Sequence, residues 1–104
     1  MPVKQPTVVS MGVIYKIIYP NGKIYIGQDR TNDINYFGSA KSETIACDFT
    51  QKEADDFIVR KIILERHCNI TIQQLNILER KYIEKFNSND NKVGYNRTPK
   101  RKTA

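Results

Sequence analysis

The stretch VIYKIIYPNGKIYIG, Val13 to Gly27, decides the fold. Val13 to Tyr19 is a run of β-branched and aromatic residues, the composition of a strand. Pro20-Asn21-Gly22-Lys23 follows, and its Asn-Gly pair supplies the positive φ angles that a tight hairpin turn needs. Ile24 to Gly27 then returns as the second strand of an antiparallel hairpin. Tyr15, Tyr19 and Tyr25 fall on this hairpin in a chain that has no tryptophan. Tyrosine suits a half-buried strand. Whether two of these hydroxyls also do chemistry depends on what the rest of the chain brings to them.

Working outward, Thr31 to Ala40 is irregular, with Gly38-Ser39 breaking any pattern. Lys41 to Ala54 reads as one helix or two short ones. Phe57 to Glu65 (FIVRKIILE) is β-branched and mostly apolar and reads as a strand, with a helix as the alternative. Thr71 is a good helix N-cap with Gln74 three residues on. From Ile72, apolar residues recur at Leu75, Leu78, Tyr82, Ile83 and Phe86, the spacing of one helical face, and Asn87 to Asn91 ends the run. The order strand, strand, helical region, strand, helix defines a small α/β domain. Residues 1–10, with two prolines and no periodicity, read as a flexible leader. Residues 98–104 (TPKRKTA) read as a basic, disordered tail, leaving 11–97 as the folded domain.

At 104 residues there is room for one core. The net charge of +6 favours polyanionic partners, of which nucleic acid is the commonest. No stretch approaches the roughly 18 apolar residues of a membrane span. The opening MPVKQPTVVS lacks the apolar run of a secretory signal, so a cytoplasmic protein is expected. Cys47 and Cys68 have no metal-ligand spacing and are expected to be free thiols.

Val13-Ile14-Tyr15, with Tyr15 ten residues before Tyr25 of an intact Tyr25-Ile26-Gly27, resembles the paired motifs of the GIY-YIG nuclease family. Val13 stands where the family usually has glycine, and Gly12 lies just before it. Further along, Glu79-Arg80-Lys81-Tyr82-Ile83 is similar to the family's helix glutamate with an apolar residue four positions on. Gly94-Tyr95-Asn96 is similar to its closing Gly-Tyr-Asn. Tyr36 to Ser42 (YFGSAKS) resembles a stretch of phage-type members. The resemblance covers about residues 12 to 96.

The resemblance implies a three-stranded antiparallel sheet with a β-hairpin, flanked by helices in an α+β arrangement. It also implies a DNA endonuclease dependent on one divalent cation, Mg²⁺ or Mn²⁺. Hydrolysis of a phosphodiester needs a deprotonated water in line with the leaving oxygen and positive charge on the phosphoryl oxygens. Carried over residue by residue, Tyr15 matches the general base and Tyr25 the residue that positions water or phosphate. Glu79 matches the metal ligand, a role that suits Mg²⁺, which keeps most of its waters and takes one or two protein carboxylates. Gly27 matches a glycine that leaves room for substrate, and Asn96 the asparagine that fixes the active-site loop. A tyrosine base requires a nearby cation to stabilise its phenolate, and Lys23 and Arg30 are the candidates on the hairpin.

The chain departs from the family in two further places. The arginine usually found eight to ten residues after the second motif is missing, because positions 34 to 38 carry no base. Arg30 is the first replacement and Lys41 the second. Asp29 stands where a histidine is often found, and His67, just past the expected third strand, reads as structural. A PD-(D/E)xK reading would pair Asp55 or Asp56 with Glu79-Arg80-Lys81, but that motif wants its two residues on one face of a strand, and a helix splays them apart. The competing class is a non-catalytic, basic nucleic-acid-binding module, which would have no use for Glu79. Double-strand cleavage from one site calls for a homodimer or two encounters.

Overall fold

The protein, described by a computed structural model for residues 7–38, 40 and 42–100, is a small α+β domain. Its elements are β1 (Val8–Ile18), β2 (Ile24–Asp29), α1 (Ser42–Ala46), α2 (Gln51–Asp55), β3 (Arg60–Thr71) and α3 (Ile72–Phe86). The strands form one antiparallel sheet in the order β2-β1-β3. No helix among the described residues is long and apolar enough to cross a membrane.

The hairpin forms as its sequence dictates. Tyr19 and Lys23 close the turn, the Tyr19 amide donating to the Lys23 carbonyl at 2.9 Å, and the Asn21 side chain accepts from the Lys23 amide at 3.0 Å. As the central strand, β1 is covered on both faces, and Val13, Ile14, Tyr15 and Ile17 are all buried. Successive side chains alternate between two layers. Ile14 and its β2 neighbour Ile26 meet Leu75 and Ile83 of α3. Tyr15, Ile17 and Tyr19 point the other way, against Tyr95, Ile45, Phe49 and Val59.

The expected capping box of α3 is present: Thr71 Oγ1 accepts from the Gln74 amide and Gln74 Oε1 from the Thr71 amide, both at 3.1 Å. A cap is worth about 1 kcal/mol. Burying Leu75 and Ile83 is worth about 2 kcal/mol each. Docking therefore holds α3 more than its cap does.

Three expectations are corrected. Val8 to Ser10 belong to β1, where Val8 pairs with Thr71 and Val9 with Ile70, so only residues 1–6 of the expected leader lie outside the described residues. β3 starts at Arg60 and runs on to Thr71, placing His67 inside it opposite Gly12. The polar run Arg66-His67-Cys68-Asn69 hides this strand because its outward edge has no apolar partner to demand alternation. The chain also stays packed beyond residue 97, since Asn89 donates to the Pro99 carbonyl at 2.7 Å. Residues 101–104 of the basic tail lie outside the described residues. Lys41 to Ala54 resolves into the second of its two readings, the short helices α1 and α2. Cys47 and Cys68 are free and exposed.

Candidate active site

A cleft of about 490 Å³ opens where the β2 side of the sheet meets α3 and the segment after it. Tyr15 and Tyr25 enter it from the hairpin, Glu79 from α3 and Asn96 from the C-terminal segment. Gln28, Tyr36 and Arg97 also line it. Four of the expected site residues, spread from position 15 to position 96, thus face one space.

Tyr15 is fully buried and its hydroxyl has no hydrogen-bond partner among the described residues. Its Cα partner across the ladder is Gly27. A Cβ on Gly27 would overlap the Tyr15 hydroxyl and lie 3.0 Å from Tyr15 Cε1. The tyrosine thus leans across β2 into the room its partner's missing side chain leaves. Gly38, at φ +87°, comes down on the other side, and a Cβ there would overlap the same hydroxyl and lie 2.8 Å from Tyr25 Cε2. Opposite this point the β1–β3 register shifts: Ile14 pairs with Glu65 but Tyr15 with Ile63, leaving Leu64 as the extra residue of a bulge. Tyr25 tilts against the Tyr15 ring at 6.5 Å between centroids, and Tyr36 meets it edge-on at 6.0 Å.

Burial pushes the Tyr15 hydroxyl well above the ordinary tyrosine value, and Tyr25, Tyr36, Glu79 and Asp29 push it further. Neither expected cation answers this. Lys23 is held at the far end of the hairpin by Asp48, 2.8 Å away. Arg30 donates from Nε to Gln28 Oε1 at 3.1 Å and lines an adjoining cleft with Tyr36. The ammonium over the Tyr15 ring is that of Lys61, 5.0 Å from the centroid, from the opposite strand of the sheet.

Glu79 sits half-buried at the border of the apolar face of α3, as its helical position requires. Burial pushes its carboxyl up, while the Gln28 amide hydrogen-bonded to it and the Arg30 charge pull it partly back. Gln28 also donates to Asn76 Oδ1 at 2.7 Å, so it bridges β2 to α3 beside the carboxylate. Gln28 follows directly on Tyr25-Ile26-Gly27, and only that adjacency hints at its place.

Asn96 closes the outer edge of β2. Ile24 donates to the Val93 carbonyl at 3.1 Å and the Tyr95 amide donates to the Ile24 carbonyl at 2.9 Å. Asn96 then continues the ladder with its side chain: Nδ2 donates to the Ile26 carbonyl and Oδ1 accepts from the Ile26 amide, each at 2.8 Å. Its amide is thereby committed to backbone, and it shapes the cleft wall. Nearby, Tyr95 donates to Asp48 at 2.7 Å and accepts from Asn21 at 3.0 Å. Burial and this carboxylate push its hydroxyl up to about 12.

Gly27 departs from its expected role, since β2 runs on to Asp29 and the space it leaves is filled by Tyr15. Lys41 lies outside the described residues. Arg97 is the cation the sequence reading missed, an exposed side chain next to Asn96 on the cleft wall. Asp29 is buried and accepts from the Thr31 amide, the Thr31 hydroxyl and the Asp33 amide at 2.7–2.8 Å, which fixes the root of the loop after β2. His67 bonds to Glu65 at 2.7 Å and takes no part in the cleft.

Among the described residues no three histidine, cysteine, aspartate or glutamate side chains converge as a protein-only metal site. Among the described residues Glu79 is the single carboxylate lining the cleft. One carboxylate among hydroxyl and amide oxygens fits a hard cation that keeps most of its waters and shares phosphate oxygens, and does not fit a caged zinc. No family model, curated protein or solved structure matches the chain.

Proposed function

We propose that the chain is a DNA endonuclease of the GIY-YIG type, hydrolysing phosphodiester bonds with one divalent cation at Glu79. The observation that carries this reading is the convergence of Tyr15, Tyr25, Glu79 and Asn96 on one cleft, since these are the positions at which the sequence resembles that family. The net charge of +6 supports a polyanionic substrate.

In this reading Tyr15, as its phenolate, takes a proton from the water that attacks phosphorus. The bond to the leaving sugar oxygen breaks with its electron pair staying on that oxygen, and a solvent water protonates it. Tyr25 orients the water. Arg97 on one wall and Arg30 in the adjoining cleft bracket the phosphate path, taking the place of the missing helix arginine. Glu79 would hold Mg²⁺ or Mn²⁺, which when bound would supply positive charge to the phosphoryl oxygens. Gln28 fixes the carboxylate, and Asn96 fixes the wall behind it.

The test is nicking of supercoiled plasmid at low salt in Mg²⁺, Mn²⁺ or EDTA, with Glu79→Ala alongside. Metal-dependent nicking by the parent, lost in Glu79→Ala with DNA binding retained, is expected. One feature favours the second reading, a non-catalytic nucleic-acid-binding module: the Tyr15 hydroxyl is buried and hard to ionise. An intact plasmid together with a retarded DNA band on a gel would select that module.

A further inference from the structure

We propose that Lys61 is the positioning residue of Tyr15: its ammonium pins the segment 33–38 across the sheet, so that Tyr36 and Gly38 close on the Tyr15 hydroxyl. Lys61 Nζ donates to the Asp33 carbonyl at 3.2 Å and to the Tyr36 carbonyl at 2.6 Å. It lies 5.0 Å from the Tyr15 ring centroid and 5.4 Å from that of Phe37. Two carbonyls of one loop and two aromatic faces thus share a single ammonium.

A lysine on an edge strand ordinarily guards that edge by staying solvated. Lys61 instead turns inward over the sheet face, where Tyr15, its diagonal neighbour on β1, presents its ring. The loop it holds has little structure of its own. Within it, the Tyr36 amide donates to the Asp33 carbonyl at 3.0 Å and the Asn35 amide to Asp33 Oδ1 at 2.9 Å. Its root is tied by Asp29, through Thr31 and Asp33. Lys61 ties the far half. Between these two anchors the backbone delivers Tyr36 edge-on to the Tyr15 ring and Gly38 onto its hydroxyl.

Removing the ammonium leaves the Tyr36 carbonyl without its donor and the Asp33 carbonyl with the Tyr36 amide alone. The segment then swings out and Tyr15 gains water. The effect on cleavage rests on the nuclease reading, but the clamp itself does not. Amide hydrogen exchange over residues 31–38 and nitration of Tyr15 by tetranitromethane, followed by mass spectrometry, read the clamp directly. In Lys61→Met both should speed up by about ten- to hundredfold, the factor that losing charge-assisted hydrogen bonds implies. Lys61→Arg should restore protection, and exchange in β1 and α3 should stay unchanged.

In the parent, which needs no variant to fold, Lys61 should be acylated by an N-hydroxysuccinimide ester far more slowly than Lys92, which is exposed. Equal acylation of the two lysines, or unchanged protection of Tyr15 in Lys61→Met, would overturn the proposal. On plasmid, Lys61→Met should lower kcat while leaving DNA affinity within about twofold, because one side-chain charge away from the phosphate path contributes little to binding. A parent that does not cut DNA would sink the nuclease reading and leave the exchange, nitration and acylation results to decide the clamp.

Discussion

Tyr15 and Gly27 face each other as Cα partners across β1 and β2, and the tyrosine hydroxyl occupies the space a side chain on the glycine would fill. The glycine of the second motif is therefore required by the tyrosine of the first. Gly27→Ala should destabilise the fold by about 1–3 kcal/mol, the usual cost of forcing an extra methyl into a packed site. In a Tyr15→Leu background, where the ring and hydroxyl are gone, the same substitution should cost much less. Urea denaturation of the four proteins of this cycle gives the coupling. An equal cost in both backgrounds would show that something other than Tyr15 excludes the methyl.

Asn96 acts as one more rung of the sheet. Asn96→Leu strands both the amide and the carbonyl of Ile26 in a buried place, and each orphaned group costs about 1–3 kcal/mol. Asn96→Asp is more informative. It keeps the acceptor for the Ile26 amide but turns a donor into a second oxygen facing the Ile26 carbonyl. That repulsion favours a protonated carboxyl, so the folded value of the new group is raised. The penalty should then be present at neutral pH and relieved as the pH falls through that raised value. Denaturation midpoints that track the parent at every pH would remove Asn96 from this role.

The hairpin and α3 were legible because their determinants are local. Pro20-Asn21-Gly22 sets the turn, and Thr71 with Gln74 sets the helix start within four residues. The length of β3 was not legible. Its stretch Arg66 to Asn69 is exposed and polar, and it is a strand because Val8 to Gly12 of β1 pair with it. The site divides in the same way. Tyr15, Tyr25, Glu79 and Asn96 were found through motif residues, but the groups that seat them were hidden. Lys61 reaches Tyr15 across 46 positions of sequence, and Gln28 reaches α3 across the sheet edge. By its place in the chain Arg30 is the first replacement for the missing arginine and, with Lys23, a candidate cation for Tyr15, and the structure ties it to Gln28.

Glu79 carries a stability cost that its proposed role explains. Burial raises its carboxyl above the ordinary value of 4.5. Above that raised value the folded protein must hold a poorly solvated charge that the unfolded chain solvates well. The cost is therefore present at neutral pH and fades as the pH falls through the folded value. Glu79→Gln should raise the Tm of the metal-free protein at pH 7.5, and the gain should shrink toward and below pH 4.5. Added Mg²⁺ should raise the Tm of the parent by mass action and leave that of Glu79→Gln unmoved. A variant that melts below the parent at neutral pH would mean that the carboxylate is held by favourable contacts and is not kept for a cation.

Tyr15 gives the sharpest kinetic expectation. Its hydroxyl is raised first by burial and then by Tyr25, Tyr36, Glu79 and Asp29, which stand around it from β2, the following loop and α3. The phenolate is a small fraction at neutral pH, and below the pKa that fraction grows about tenfold per pH unit. If Tyr15 is the base, single-turnover cleavage should climb with a slope near one and reach no plateau before the protein unfolds in alkali. Free hydroxide acting on the substrate would produce the same slope, so the slope alone does not identify the residue. Tyr15→Phe separates the two, because it removes the acceptor while keeping the ring against Tyr25 and Tyr36. The variant should lose about 10²–10⁴-fold across the whole range, the typical worth of a positioned base. A profile that levels off below about pH 9 would assign the proton to a group less buried than Tyr15, because an ordinary tyrosine already titrates near pH 10. A Tyr15→Phe rate equal to the parent's would leave Tyr15 as the residue that shapes the cleft and not the one that takes the proton.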